Sequence, residues 1–265
     1  MLGLTVIISY YKSLNNLKII LKALNNQSCI DFEVILSEDD NNDETIKYIQ
    51  EIKPKLNFSI IHLNQEEDTG FKKNSMLNKS IIRANTEKIA FIDGDCIPHK
   101  HFVKQYIRCI DKESFCVGRA VMLDKDTTEE IKDCQDLGIL NFYKLLFSKS
   151  KKMKDGIYFP YFHLSLKTKG LVGRNWGCHK KSLIEINGFD EDYKYACLGE
   201  DTDIEWRLIA HGIRRKSVKN MAIVYHLYHD RWYVEEGTEG NRRILEEKIT
   251  QNEIKCINGI KYIGE

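Results

Sequence analysis

KIAFIDGDCIP, residues 88–98, is the stretch on which the fold is read. A short apolar run, the habit of a buried parallel strand, stops at Ile92 and delivers Asp93, Gly94 and Asp95. On an extended backbone residues i and i+2 point the same way, so Asp93 and Asp95 share a side, and Gly94 lets the chain turn tightly between them. Two carboxylates at a sheet edge repel unless a cation neutralises them, and hard divalent ions take oxygen ligands. Mg²⁺ or Mn²⁺ bound together with a phosphate-bearing ligand meets that need. The alternative is an ordinary Asp-Gly turn after a strand.

Upstream, LTVIIS (4–9), FEVILS (32–37) and NFSIIHL (57–63) read as further strands. Residues 13–26, 43–53 and 71–84 read as the helices between them, the first with Leu14, Leu17, Leu21 and Leu24 on one side. Strands alternating with helices predict an α/β fold, a mostly parallel central sheet flanked by helices. Ligands in such folds sit beyond the carboxyl ends of the strands. Glu38 and Asp39, after the second strand, are therefore expected to face one crevice. A carboxylate there accepts from a pyrimidine N–H or a ribose hydroxyl; the alternative is a polar loop with Asp43 capping the next helix.

Downstream, FCVGRAVML (115–123) reads as a strand, 127–147 as a helix, MAIVYH (221–226) as a strand and TEGNRRILEEKI (238–249) as a terminal helix with Arg242–Glu246 and Arg243–Glu247 pairs. In LGEDTDIEWRL (198–208), Glu200, Asp201 and Asp203 open a helix. They either cap it and complement its dipole or hold a general base at the sheet edge. In VYHLYHDRW (224–232), His226 ends a strand and offers an imidazole ligand, and Arg231 offers a phosphate clamp. A structural histidine is the alternative reading.

Composition narrows the class. The 265 residues carry 40 Lys+Arg against 39 Asp+Glu, a formal net charge of +1, which argues against nucleic acid as a partner. No apolar run approaches the roughly 20 residues that span a bilayer, and no secretion signal is visible, so a cytoplasmic protein is expected. The eight cysteines show no C-x-x-C or zinc-type spacing and read as reduced thiols. Three prolines and no Gly/Ser linker leave no visible domain boundary. The basic-aromatic stretch 143–170 is an acceptor platform, a patch that touches the inner face of a membrane, or a solvated basic loop.

The order of these pieces resembles a family 2 glycosyltransferase of the GT-A fold, over nearly the whole chain. VIISYYKSLNNLKIILKALNNQ and FEVILSEDDNNDET are similar to that family's opening strand, helix and donor-base loop, with Ser9 where Pro is usual and Glu38-Asp39-Asp40-Asn41 for Asp-Asp-Gly-Ser. GFKKNSMLNKSI followed by FIDGDC resembles the approach to the metal-binding D-x-D. GRNWGCHKKSLIEINGFDEDY, LGEDTDIEWRL and YH resemble the carboxyl-terminal half of the chondroitin-polymerase and β-1,4-galactosyltransferase type.

The resemblance implies one GT-A domain over 1–265, with a nucleotide-binding half to about 110 and an acceptor-binding half beyond. It implies a metal-dependent, inverting transfer from a UDP-sugar to a hydroxyl of a glycan or lipid-linked glycan, as in surface polysaccharide synthesis. Ser9, Tyr10, Tyr11, Glu38, Asp39, Lys73, Asp93, Gly94, Asp95 and Arg231 are then expected around the donor. Asp95 and His226 would hold Mn²⁺ (or Mg²⁺), with Asp93 acting through water or the ribose. Asp201 would be the general base and Glu200 its support. A loop over 227–237 would close on the diphosphate. The rival readings are a haloacid-dehalogenase-like phosphatase, whose nucleophile usually sits on the first strand, and a non-catalytic sugar- or nucleotide-binding module.

Overall fold

The structure is a computed structural model that describes residues 2–67, 70–161, 169–195, 199–230 and 235–260. In chain order its elements are β1 (Leu4–Tyr10), α1 (Leu14–Asn25), β2 (Phe32–Glu38), α2 (Asp43–Ile52), β3 (Ser59–Leu63), α3 (Lys73–Arg83), β4 (Lys88–Asp93), β5 (Cys96–Pro98), α4 (Phe102–Cys109), β6 (Ser114–Val117), β7 (Arg119–Met122), α5 (Lys125–Cys134), α6 (Phe142–Leu146), β8 (Asn175–His179), α7 (Lys180–Glu185), α8 (Glu200–Ala210), β9 (Arg214–Ser217), β10 (Ile223–His226) and α9 (Glu235–Thr250).

Seven strands form the large sheet in the order β3-β2-β1-β4-β8-β6-β9. The pairs β3-β2, β2-β1, β1-β4 and β6-β9 are parallel, and β8 runs antiparallel to both its neighbours. The expected mostly parallel sheet is therefore present, with one reversed strand in its middle. β1 shows why its strands read as unbroken apolar runs. Leu4, Val6, Ile8 and Tyr10 pack with α1 on one face, while Ile7 joins Leu77 and Ile81 of α3 on the other. Phe91 of β4 stacks on Trp176 of β8 at 4.5 Å between centroids, closing the second core.

A second sheet, β5-β10-β7, lies beside the first. The run 115–123 is thus two strands, β6 and β7, in different sheets, parted at Gly118. The Asn175 side chain explains the break. It accepts from the Tyr106 hydroxyl at 2.6 Å and donates to the carbonyls of Arg119 and Ala222 at 2.9 Å each, tying the two sheets together. A Cβ at Gly118 would lie 2.3 Å from its Nδ2. The expected helix over 127–147 is also interrupted. Gln135 takes φ +53° and Asp136 caps a short 3₁₀ turn over Leu137–Leu140 before α6 begins. Asn42, not Asp43, caps α2, accepting from the N–H groups of Glu44 and Thr45. In α9, Arg242 pairs with Glu246 as expected, while Arg243 turns back to Glu239.

Candidate active site

The parallel strands end level with one another. Ser9 of β1 is in register with Ser37 of β2 and with Asp93 of β4, so their carboxyl ends share one edge. The Gly94 N–H donates to the Ser9 carbonyl at 2.6 Å, folding the chain after β4 back over β1. A cavity of about 300 Å³ opens there, lined by Ser9, Tyr10, Tyr11, Asp39, Phe71 and Lys73. Asp39 is held by the Lys72 N–H at 2.9 Å and by Gln65 at 2.7 Å.

Glu38 does not share this crevice. It is fully buried, 2.6 Å from His62 Nε2, and it is absent from the cavity wall. Successive residues of a strand point to opposite sides, and the strand runs through Glu38. Tyr10 reaches the cavity, but its ring is buried and its hydroxyl meets Thr45 at 3.2 Å, whereas Tyr11 is exposed.

Asp93 and Asp95 also part company. Gly94 and Asp95 form a turn rather than a continued strand, so the i, i+2 alignment is lost. The Asp93 carboxylate lies 3.5 Å from Lys73 Nζ at the start of α3. Asp95 faces β10. The antiparallel β5–β10 ladder pairs Cys96 with His226, and the Leu227 N–H donates to the Asp95 carbonyl at 2.9 Å. Asp95 Oδ2 consequently stands 3.4 Å from His226 Nε2 and 3.1 Å from His229 Nε2. Ligand atoms of Asp95, Cys96 and His226 lie within 4.8 Å of one another, an arrangement suited to a metal ion.

The chemistry of these donors sorts them. Burial raises the Asp95 carboxyl, but the His229 hydrogen bond and the His226 charge outweigh it and hold the group below its usual range. Burial lowers His226 despite Asp95, leaving a neutral imidazole with a lone pair to give. Burial, with Asp95 and Asp93 nearby, pushes the Cys96 thiol well up, so it stays protonated and donates to Asp95 at 3.2 Å. A carboxylate and the His226 imidazole are thus the donor set, and it fits a divalent cation with mixed oxygen and nitrogen preference, while the hydrogen bond to Asp95 raises His229.

The acids at the start of α8 divide by role. Gly199 takes φ +141°, a conformation open to glycine, and starts α8. Asp203 is buried against Arg207, whose Nε and Nη2 both donate to its Oδ2, at 2.8 and 2.6 Å. Arg207 also donates to the carbonyls of Ile186 and Gly188, so this pair anchors the helix. Glu200 instead faces Lys73, 3.7 Å away, and its Oε2 is buried without a hydrogen-bond partner. Asp201 accepts the Gly173 N–H at 2.7 Å. A Cβ at Gly173 would lie 2.6 Å from Asp201 Oδ1, so only glycine admits this contact unchanged.

Lys73 joins the two acidic groups. Burial opposes its charge, yet Asp93, Glu200 and Asp201 outweigh that and raise its pKa. Burial lifts Glu200 to about 7 against the pull of Lys73, and lifts Asp201 in the same direction. Arg174, next to Gly173, lines a cavity of about 710 Å³ with His226 and His229. The Arg174 charge acts on both Asp201 and His226, so these two groups lie near it. α3 is braced for this by Asn74 and Asn78, which donate to the carbonyls of Asp190 and Phe189.

Arg231 and Trp232 lie outside the described residues, as does part of the expected lid over 227–237 and residues 162–168 of the basic-aromatic stretch. Sequence reasoning gave no role to His229, Arg174, Gly173 or Phe71. His229 stood three residues from His226, and Arg174 and Gly173 lay in a quoted motif; only the fold puts them at the site.

Residues 5–186 match the family described as glycosyl transferase family 2, and residues 156–230 match the N-terminal domain of galactosyltransferase. The chondroitin synthase of Escherichia coli is 22% identical over 241 residues, covering 84% of this chain. The chain spans about a third (34%) of that relative's length. S. aureus TarS, solved with UDP-GlcNAc, superposes with a TM-score of 0.61 at 18% identity, over 94% of this chain and 66% of that one. GalNAc-T7, solved with UDP, GalNAc and Mn²⁺, gives 0.65 at 15% identity, over 93% of this chain and 48% of that one. These likenesses establish a GT-A fold, and the family match covers more than half the sequence: the chain belongs to glycosyltransferase family 2.

Proposed function

We propose that this glycosyltransferase moves a sugar from a UDP-sugar to a hydroxyl of a glycan acceptor, with metal assistance and inversion at the anomeric carbon. The observation that carries the reading is the grouping of Asp95 and His226 at the β5–β10 ladder, beside a cavity lined by Arg174, whose charge also acts on Asp201. Asp95 and His226, with His229 in reach, would hold Mn²⁺ (or Mg²⁺). Bound there, the ion would supply Lewis-acid stabilisation of the charge on the departing diphosphate. The cavity at Tyr11, Asp39 and Phe71 would take the base and ribose. Lys73 keeps its proton beside Asp93 and helps fix that end of the donor.

Asp201 would receive the acceptor hydroxyl proton. A base needs a pKa near the working pH, and burial moves Asp201 upward while the Gly173 N–H fixes one of its oxygens. Glu200, with its buried unpartnered oxygen, would orient the hydroxyl. Relatives solved with UDP-GlcNAc and with UDP, GalNAc and Mn²⁺ support this assignment of ligands. The test is a screen of UDP-sugars against glycan acceptors, followed by Asp201→Asn. Transfer should fall at least ~1000-fold, the scale on which general bases act together with positioning, while UDP affinity stays within twofold. Retained turnover would remove Asp201 from the role, and a product of unchanged anomeric configuration by NMR would refute inversion.

A further inference from the structure

The cavity that holds His226 is far more basic than a chain of net charge +1 would suggest. Lys125, Lys149, Lys151, Lys152 and Arg174 all line it. Its acids are largely spoken for. Asp124 caps α5, accepting from the Thr127 N–H and from the hydroxyls of Thr127 and Ser150. Asp230 accepts from the Tyr228 hydroxyl at 3.0 Å. Of the lysines, Lys125 pairs with Glu129 and Lys149 with Asp126, both at 3.8 Å and both exposed, where such pairs contribute little. A neighbouring cavity of about 260 Å³ shares Lys152 and Arg174 and adds Arg119, Lys169 and Asp155, the last paired with Lys219 at 3.2 Å.

The crowding has marks in the backbone and in the charges. Lys152 sits at φ +60°, a left-handed conformation that costs a side-chain-bearing residue energy and recurs at ligand sites. Burial and the nearby Arg174 lower its pKa against the pull of Asp155, with Lys169 and Arg119 acting in the same sense as Arg174. A nucleotide-sugar diphosphate brings about two negative charges, which a divalent ion alone offsets. The lysines are then in excess of what the donor requires.

We propose that this basic cleft binds an anionic group of the acceptor glycan, a carboxylate or a phosphate, through Lys149, Lys151 and Lys152 next to Arg174. The inference rests on the transferase reading for the word acceptor, but its test is binding and reads whether or not any donor turns over. The probes are a glucuronate-containing tetrasaccharide, a glycerol-phosphate oligomer and neutral maltotetraose, each titrated calorimetrically into the full chain with UDP and Mn²⁺ at 50 and 300 mM salt.

At least one anionic probe should bind tenfold or more tightly than maltotetraose at low salt, and lose that margin at high salt. The probe that shows the margin names the anion. The variant Lys149→Ala/Lys151→Ala/Lys152→Asn, with asparagine chosen for its tolerance of the left-handed conformation, should abolish the margin and keep UDP affinity and thermal midpoint. Equal affinity for all three probes overturns the proposal. So does a variant that loses UDP affinity in step, which would assign the lysines to the donor. Lysine-dependent capture of phosphatidylglycerol vesicles without any saccharide preference would assign them to a membrane surface and overturn it too. Failure of the transferase reading would appear separately, as tight anionic binding without transfer from any UDP-sugar.

Discussion

Glu200→Gln should make the protein more stable while making it a poorer enzyme. The Glu200 carboxyl is raised from 4.5 to about 7, first by burial and then by Asp201 and Asp93, with Lys73 pulling the other way. A raised acid favours the folded state only while protonated. Its contribution is fully present below about pH 4.5, where both states hold the proton, and is lost as pH rises through about 7. At ~1.4 kcal/mol per pKa unit, the fold gives up about 3 kcal/mol by pH 8.5 to keep this carboxylate ionised. Glutamine keeps the shape and cannot ionise. The variant should therefore gain about 3 kcal/mol at pH 8.5, a rise of roughly 6–12 °C in thermal midpoint for a chain of this size. At pH 4.5 the gain should shrink to a few tenths of a kcal/mol, roughly a tenth of that. Scanning calorimetry of both proteins at the two pH values, with EDTA present, reads this directly. A variant no more stable than wild type at pH 8.5, or one equally stabilised at both, would refute the reasoning. Transfer should fall at the same time, the trade expected where a site is held in a strained charge state for function.

Three further perturbations separate holding from doing. Asp95→Ala should abolish the Mn²⁺-dependent part of UDP affinity measured by calorimetry; unchanged affinity with Mn²⁺ would contradict the ligand assignment. Gly173→Ala places a Cβ 2.6 Å from Asp201 Oδ1, so transfer should drop ~100-fold or more from displacement of the base, with the thermal midpoint little changed. Normal turnover in that variant would show that Asp201 need not sit where Gly173 fixes it. Asp203→Asn leaves the Arg207 guanidinium buried without its counter-charge and should cost about 3–5 kcal/mol in denaturant unfolding. A loss below about 1 kcal/mol would mean that Arg207 draws its support from the Ile186 and Gly188 carbonyls alone.

The amino-terminal half was legible because its inner strands β1, β2 and β4 are buried on both faces. β1, β2 and β4 show up as apolar runs that no amphipathic helix produces. The second half lacks that signature. β5 has three residues, β9 is the charged edge strand Arg-Arg-Lys-Ser, and β8 is Asn-Trp-Gly-Cys-His, with glycine and polar residues inside a fully buried strand. β8 is buried because it lies between β4 and β6, and its Asn175 is satisfied by carbonyls beside the second sheet, a tertiary fact invisible to periodicity. The split at Gly118 follows from the same side chain. A local reading of 115–123 has no means of seeing a residue nearly sixty positions downstream.

The site follows the same division between composition and placement. Residue types announced a carboxylate-rich edge, but a strand-end rule placed Glu38 with Asp39 and Asp93 with Asp95, and both pairs separate. The two pairs fail for opposite reasons, one because the backbone stays extended and the other because it turns. In the first pair the strand persists through Glu38, so its side chain takes the face opposite Asp39. In the second a turn intervenes and sends Asp93 to Lys73 and Asp95 to β10. The helix acids divide likewise. Of Glu200, Asp201 and Asp203, only Asp203 has a full-charge partner within its own helix, Arg207 at i+4, and it is the structural one. The other two find their partners across the fold, the Lys73 ammonium for Glu200 and the Gly173 N–H for Asp201. An acid whose counter-charge lies four residues along its own helix stabilises that helix, and one whose partners come from distant elements is held in place by the whole fold. The second condition is costly to maintain, which is why the Glu200 variant is the sharpest probe of whether the fold maintains it for chemistry.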